Sequence, residues 1–182
     1  FRSASPNLQI TVGLPVSYAH DGSGFHSGRG DLKLSAKYRF YQDEASGISV
    51  AMFPGLTLPT ASRGHGNSKV TALIPVWAQK DAGPWSVFGG GGYAINPGAG
   101  ALDYWTGGVA VTRQVSERLL AGLEVDRQEA DTVGGQASTS LGIGGILQLK
   151  APFRLLFSGG PTFTDHEDST GFHAYVALGL DF

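Results

Sequence analysis

Apolar and polar side chains alternate along much of this chain, and a period of two is the signature of a β-strand with one apolar face. In the last segment Phe172, Ala174, Val176, Leu178, Leu180 and Phe182 fall on one side, with His173, Tyr175, Ala177, Gly179 and Asp181 on the other. The same separation runs through 8–18, where Leu8, Ile10, Val12, Leu14, Val16 and Tyr18 oppose Gln9, Thr11, Gly13, Pro15 and Ser17. It returns over 31–41, where Leu32, Leu34, Ala36, Tyr38 and Phe40 oppose Asp31, Lys33, Ser35, Lys37, Arg39 and Tyr41. Weaker alternation elsewhere predicts ten strands in all, over 8–19, 30–41, 48–59, 69–79, 85–95, 103–114, 118–128, 137–149, 153–164 and 171–182. Strands of globular proteins average about 5–6 residues, whereas a tilted strand that crosses a bilayer needs about 9–11.

The connections alternate in length. Short turns are expected at 42–47, 80–84, 115–117 and 150–152, and longer polar loops at 20–29, 60–68, 96–102, 129–136 and 165–170. Outer-membrane barrels carry short periplasmic turns and longer external loops; with the C-terminus on the periplasmic side, every short turn falls there. Aromatic residues on the apolar parity then form two belts, as they do at the two interfaces of a bilayer. Phe40, Trp85, Phe153 and Phe182 mark the periplasmic ends, and Tyr18, Tyr93, Trp105, Phe163 and Phe172 the outer ends.

Some stretches strain this pattern. Pro15, Pro54, Pro75 and Pro161 fall within expected strands and call for bulges or irregular rims, because a closed barrel has no edge where a missing N–H is harmless. The stretch 116–131 also reads as a capped amphipathic helix with Leu119, Leu120 and Leu123 inward, although the opposition of Leu119, Ala121, Leu123 and Val125 to Gly122, Glu124 and Asp126 favours a strand. The parity of 69–79 is open, since Val70, Ala72, Ile74 and Val76 oppose an almost equally apolar Leu73 and Trp77.

Composition separates a membrane barrel from a soluble one. Only 15% of the 182 residues are charged, too few for the outward face of a water-soluble sandwich or lipocalin-like barrel, and many of those lie in the connections. The chain holds 28 glycines, several of them on the polar parity, at Gly13, Gly55, Gly122, Gly142, Gly144, Gly160 and Gly179. Such a face is a poor soluble surface and a reasonable lining for a narrow lumen. Mean hydropathy of −0.03 is the average of two opposite faces. The absence of cysteine excludes disulfides and zinc–thiolate or iron–sulfur sites, and a net charge of −2 gives no reason to expect nucleic acid. The chain opens Phe-Arg-Ser-Ala-Ser-Pro, without Met or an apolar signal segment, and reads as a mature or truncated single barrel domain over 1–182.

Candidate chemistry is sparse. His20, His26 and His65 fall in loops, His166 lies in the acidic run 165–168, and His173 stands on a strand near Tyr175 with no obvious serine partner. The acidic runs 129–131 and 165–168 lack an EF-hand pattern and read as solvated loops. Arg29-Gly30-Asp31 spells an adhesion tripeptide that reads as chance, and Gly89–Gly92 lacks the Lys-Ser/Thr of a phosphate loop. No catalytic residue, metal or cofactor is called for. The remaining site is the lumen, whose expected lining comprises Lys33, Lys37, Arg39, Glu124, Asp126, Arg154, His173 and Tyr175, with Phe53, Leu120, Ile146 and Leu156 as apolar patches. The basic and acidic rows either set a transverse field across an open path or meet as buried ion pairs that fill the barrel.

Gly13-Leu14-Pro15, the stretches 30–41 (GDLKLSAKYRFY) and 54–60 (PGLTLPT), Gly83-Pro84-Trp85 and the terminal strand ending in Phe182 resemble a bacterial outer-membrane channel family assigned to the phenol-degradation (MetA) pathway. That resemblance covers nearly the whole chain. It implies a twelve-stranded channel with two strands ahead of the first strand here, so that this chain either closes with ten strands or lacks a pair. It also implies that Phe182, with Leu180, Leu178 and Val176, is the tail recognised by barrel-assembly machinery. The expected protein is an antiparallel transmembrane β-barrel of the bacterial outer membrane, surrounded by lipid and passing small, hydrophobic or aromatic solutes. A plugged structural or surface-interaction barrel is the alternative, and an outer-membrane lipid-modifying enzyme a more distant one.

Overall fold

Every regular element among the described residues is a β-strand. The computed structural model describes residues 2–5, 7–21, 24–165 and 170–180, with side chains described for 7–16, 27–165 and 170–179. The first strands are β1 (Arg2–Ser5), β2 (Leu8–Gly13), β3 (Val16–Asp21), β4 (Gly24–Arg29), β5 (Leu32–Asp43), β6 (Ile48–Met52) and β7 (Gly55–Leu58). They are followed by β8 (Thr71–Ala82), β9 (Trp85–Ile95), β10 (Tyr104–Ser116), β11 (Leu119–Gln128), β12 (Ser138–Gln148), β13 (Phe153–Thr164) and β14 (Thr170–Leu180). Neighbours run antiparallel in the order β1-β2-β5-β6-β8-β9-β10-β11-β12-β13-β14, and β7 continues β6 between β5 and β8. The sheet curls around an internal cavity as an antiparallel β-barrel. Among the described residues its end strands β1 and β14 are not paired with each other.

The alternation dictates this arrangement, because a strand that pairs on both edges can place its apolar set on one side only. Starting from Lys37 and Arg39, cross-strand partners carry one face from Ala51 to Trp77, Gly90, Gly108, Asp126, Ser140 and Thr162. This is the inner face. The opposite face carries Val12, Ile74, Val109, Leu123, Ile143 and Val176, each more than two-fifths exposed. Among the described residues the only buried hydrophobic ones are Ala51, Ala94, Ala110 and Ala137, and no large side chain is fully buried. A compact 19.0 kDa monomer exposes roughly 8,400 Å², against 12130 Å² here. Hydrophobic residues have therefore been sorted outward, which is stable against hydrocarbon and not against water. The twelve residues of β8 reach about 40 Å, enough to cross the apolar layer at the tilt of a barrel strand.

The open parity of 69–79 is resolved by β8: Leu73, Pro75 and Trp77 face in, and Ile74 and Val76 face out at 48% and 44% exposure. The segment 116–131 holds strand β11 and no helix. Four expectations need correction. The single strand over 8–19 ends at Leu14-Pro15, where β2 gives way to β3. The polar loop expected over 20–29 is largely strand, since β3 and β4 pair as a hairpin that prolongs the β2–β5 ribbon beyond the main sheet. A further strand, β1, precedes the ten and pairs with β2. Tyr41 leaves the polar parity, because a bulge between Arg39 and Tyr41 sets Tyr41 opposite Val50.

The prolines sit where the ladder tolerates them. Pro15 and Pro54 occupy strand breaks. The Pro54 carbonyl accepts from the Ala36 N–H and the Pro75 carbonyl from the Phe53 N–H, at 3.0 Å each, so each proline retains its acceptor half. At Pro161 the β12–β13 ladder skips from Ser140–Thr162 to Ile143–Gly159 without losing register. Close backbone approach explains the neighbouring glycine: a Cβ at Gly160 would overlap the Leu141 carbonyl oxygen, whereas at Gly13 the nearest atom would be 3.7 Å away. Gly160→Ala should lower stability by about 1–3 kcal/mol and Gly13→Ala should not, as read from denaturant unfolding in lipid vesicles.

Candidate functional site: the lumen and its outer rim

Antiparallel pairing delivers the inner-face residues of β5, β6, β8 and β9 to a cavity of about 1300 Å³. Its outer mouth is bounded by Asn67, Asn96, Asp131 and Thr132, its middle by Lys33, Lys37, Phe53, Trp77 and Phe88, and its far end by Gln42, Gln79 and Asp81. The Lys37 ammonium lies over the Phe53 ring, 5.2 Å from its centroid, a cation–π geometry. Trp77 and Phe88 meet at 6.3 Å between centroids with a tilt of 55°. Arg39 is held at the wall, donating from Nε at 3.1 Å and from a terminal nitrogen at 2.9 Å to Asn7 Oδ1. At the far end Asp81 accepts from Gln79 Nε2 at 2.9 Å and from the Ser86 hydroxyl.

Inner-face glycine is concentrated on β9 to β13. Strands β5 to β8 bring lysine, arginine, phenylalanine, leucine and tryptophan to the cavity. On β9 to β13 the inner face holds Gly90, Gly92, Gly108, Gly122, Gly142, Gly144 and Gly160, interspersed with Phe88, Leu120, Glu124, Asp126, Ile146 and Leu156.

Of the eight lining residues expected from the sequence, Lys33, Lys37 and Arg39 border this cavity. Register sets Glu124, Asp126, Arg154, His173 and Tyr175 on the same face, along β11 to β14, away from the cavity wall. Tyr175 is 54% exposed there. Among the described residues no ion pair joins the basic row to Glu124 or Asp126; Arg127 with Glu129 at 3.0 Å and Arg127 with Asp165 at 2.7 Å form on the outer rim instead. His173 Nδ1 lies 3.3 Å from Thr162 Oγ1, which lies 3.1 Å from Ser140 Oγ. The serine is thus one hydroxyl removed from the imidazole, in a polar belt across three strands. Leu120, Ile146 and Leu156 are successive cross-strand partners, and Phe53 joins Lys37.

Among the interface aromatics, Tyr93 and Trp105 pair edge to face at 5.0 Å, and the Arg113 guanidinium lies 5.2 Å over Trp85. Phe40, Phe153, Phe163 and Phe172 are exposed at 52%, 41%, 43% and 76%. Tyr18 falls in β3 with its side chain outside the described residues, and Phe182 and His166 lie outside them altogether.

Asp31 is the residue that pattern reading missed. Its carboxylate, with only 5% of the residue exposed, accepts the N–H groups of Thr60 and Ala61 on Oδ1 at 2.9 Å each and that of Asn67 on Oδ2 at 2.6 Å. Beside it the Leu32 N–H donates to Thr60 Oγ1 at 2.9 Å, and the Ser62 N–H to the Arg29 carbonyl at 2.8 Å. The His65 ring covers Gly28, where any Cβ would collide with it. Segment 59–70 is thereby fastened to the base of the β3–β4 hairpin, with Asn67 at the cavity mouth. The Asn67 N–H holds the Asp31 carboxyl below the ordinary carboxylate range; burial opposes this, and Ala61, Thr60 and Lys33 reinforce it. The acid of the Arg29-Gly30-Asp31 triplet is therefore consumed inside the fold. A second tie closes the rim, where the Leu102 N–H donates to the Asp131 carbonyl and the Val133 N–H to that of Gly100, at 2.8 Å each.

An apolar exterior, a charged interior and tied outer loops define a barrel with a lined lumen. No protein-family model matches the chain, and no curated protein matches it. Its fold is similar to the crystal structure of an outer membrane channel from Pseudomonas putida F1, at 15% sequence identity and a TM-score of 0.72. The match covers 97% of this chain and 79% of that one. The resemblance noted in the sequence is thus met by a channel of the same fold, without a family match.

Proposed function

We propose that this chain is an outer-membrane channel through which small solutes, hydrophobic and aromatic ones included, diffuse passively. The observation that carries this reading is the inverted sorting of side chains: apolar residues face out along every main strand, while lysines, aromatics and acids border a cavity of about 1300 Å³. The outer-membrane channel of similar fold supports it, as do the motifs that resemble the phenol-degradation family. On this reading the outer face meets lipid, the tied loops lie outside the cell, and the strand ending in Phe182 is what barrel-assembly machinery reads. The protein contributes a lined path and no covalent chemistry.

Reconstitution tests it. Liposomes carrying the protein should swell in small sugars faster than empty ones, and planar bilayers should show discrete conductance. Silence toward both ions and small solutes would sink the channel reading in favour of a plugged structural barrel.

A further inference from the structure

Within the cavity, one corner joins a cation to aromatic faces around a small residue. In the row that crosses β5, β6 and β8, Arg39 pairs with Ala51 and Ala51 with Trp77. Ala51 borders the cavity and carries only a methyl group, a notch between the longer side chains of Arg39 and Trp77 on either side. Lys37 and Phe53 border that notch, with the ammonium 5.2 Å from the ring centroid, and Phe88 backs Trp77. The two cations differ in what they have left to offer. Arg39 already donates twice to Asn7 Oδ1, whereas Lys37 makes no ion pair among the described residues.

We propose that the corner formed by Lys37, Phe53, Ala51 and Trp77 is a binding subsite for a planar aromatic monocarboxylate. The proposal rests on the channel reading and adds to it a charge, a shape and a place. A planar ring fits the notch above Ala51 and stacks on Phe53 or Trp77, and its carboxylate meets the ammonium of Lys37 in a charge-assisted hydrogen bond. A compact inorganic anion would leave both aromatic faces unused. A neutral arene would leave Lys37 without a counter-charge.

Binding of benzoate to the full chain in detergent micelles, followed by isothermal calorimetry and ligand-observed NMR, tests this against benzyl alcohol and acetate. Benzoate should bind saturably and at least about tenfold more tightly than either, a margin of about 1.4 kcal/mol. Lys37→Gln should abolish that margin and Lys37→Arg restore it, which separates a lost contact from a misfolded barrel. Trp77→Leu should weaken benzoate and benzyl alcohol together. The proposal is overturned if benzoate binds no better than acetate, or if Lys37→Gln keeps the preference. Sugar flux measured on the same preparations keeps the two readings apart. Sugar flux without a preference for benzoate overturns the subsite alone, and benzoate binding by a barrel sealed to sugars and ions overturns the channel alone.

Discussion

Asp31→Ala should free segment 59–70 from the barrel rim while leaving the strands intact. The substitution removes the acceptor for three backbone N–H groups at once, and each donor left unmet in a covered site costs about 1–3 kcal/mol. A local loss of about 3 kcal/mol or more should appear as faster amide exchange and new protease cleavage confined to 59–70. Asp31→Asn should be intermediate, because an amide keeps an acceptor for Thr60 and Ala61 but turns its NH2 toward the Asn67 N–H. The sign of the pH dependence follows from the lowered pKa. Stabilisation by a depressed carboxyl is fully present above its unfolded value of about 4 and is lost as pH falls through the lower folded value. The tie should therefore hold through the neutral range and open only in stronger acid. Loss of protection at 59–70 between about pH 5 and pH 7 would contradict the assignment.

Ile143→Arg should impair insertion and stability where an equally large change on the cavity side does not. Ile143 lies near the middle of β12, is 67% exposed, and pairs with the similarly exposed Leu123. An arginine facing lipid at mid-depth costs about 2–4 kcal/mol in a barrel of this type. Gln79→Arg, in the cavity beside Asp81, should unfold at nearly the parent denaturant concentration, because its new charge meets an acid and not hydrocarbon. Unfolding of both variants in lipid vesicles reads this out, and equal stability for the two would remove the case for an apolar surround.

Much of the fold could be read from parity, because each strand of the curled sheet keeps one apolar side, and β9 to β13 hold that choice along their paired lengths. Parity is least informative where a local device resets it. At Phe40 the bulge moves Tyr41 outward. At Pro15 the ribbon shifts register, and Gly30 admits the proline ring so closely that a Cβ there would sit 2.7 Å from Pro15 Cγ. Gly24–Arg29 forms a strand despite its glycine and polar content, because β3 supplies its ladder and no sheet face constrains its pattern. Lys33, Lys37 and Arg39 could be picked out because they share a strand and a parity. Their relation to Phe53 and Trp77 could not, since it depends on which strands become neighbours. Asp31 stood out only as a polar-parity position and as the acid of the Arg29-Gly30-Asp31 triplet: its partners are backbone N–H groups of a distant loop, which no side-chain pattern encodes.

The glycines of the inner face have a consequence for how such a lumen can change over generations. At glycines of β9 to β13 a new side chain would collide with backbone, as at Gly90 against Val76, Gly108 against Val125 and Gly144 against Phe157. Those glycine positions are closed to larger side chains. On β5 to β8 the bore is set by side-chain tips around Lys37, Phe53 and Trp77, and these can be shortened, lengthened or recharged without moving a strand. Substitutions that reshape this cavity without moving a strand would therefore gather on β5 to β8, while the glycines of β9 to β13 stay fixed.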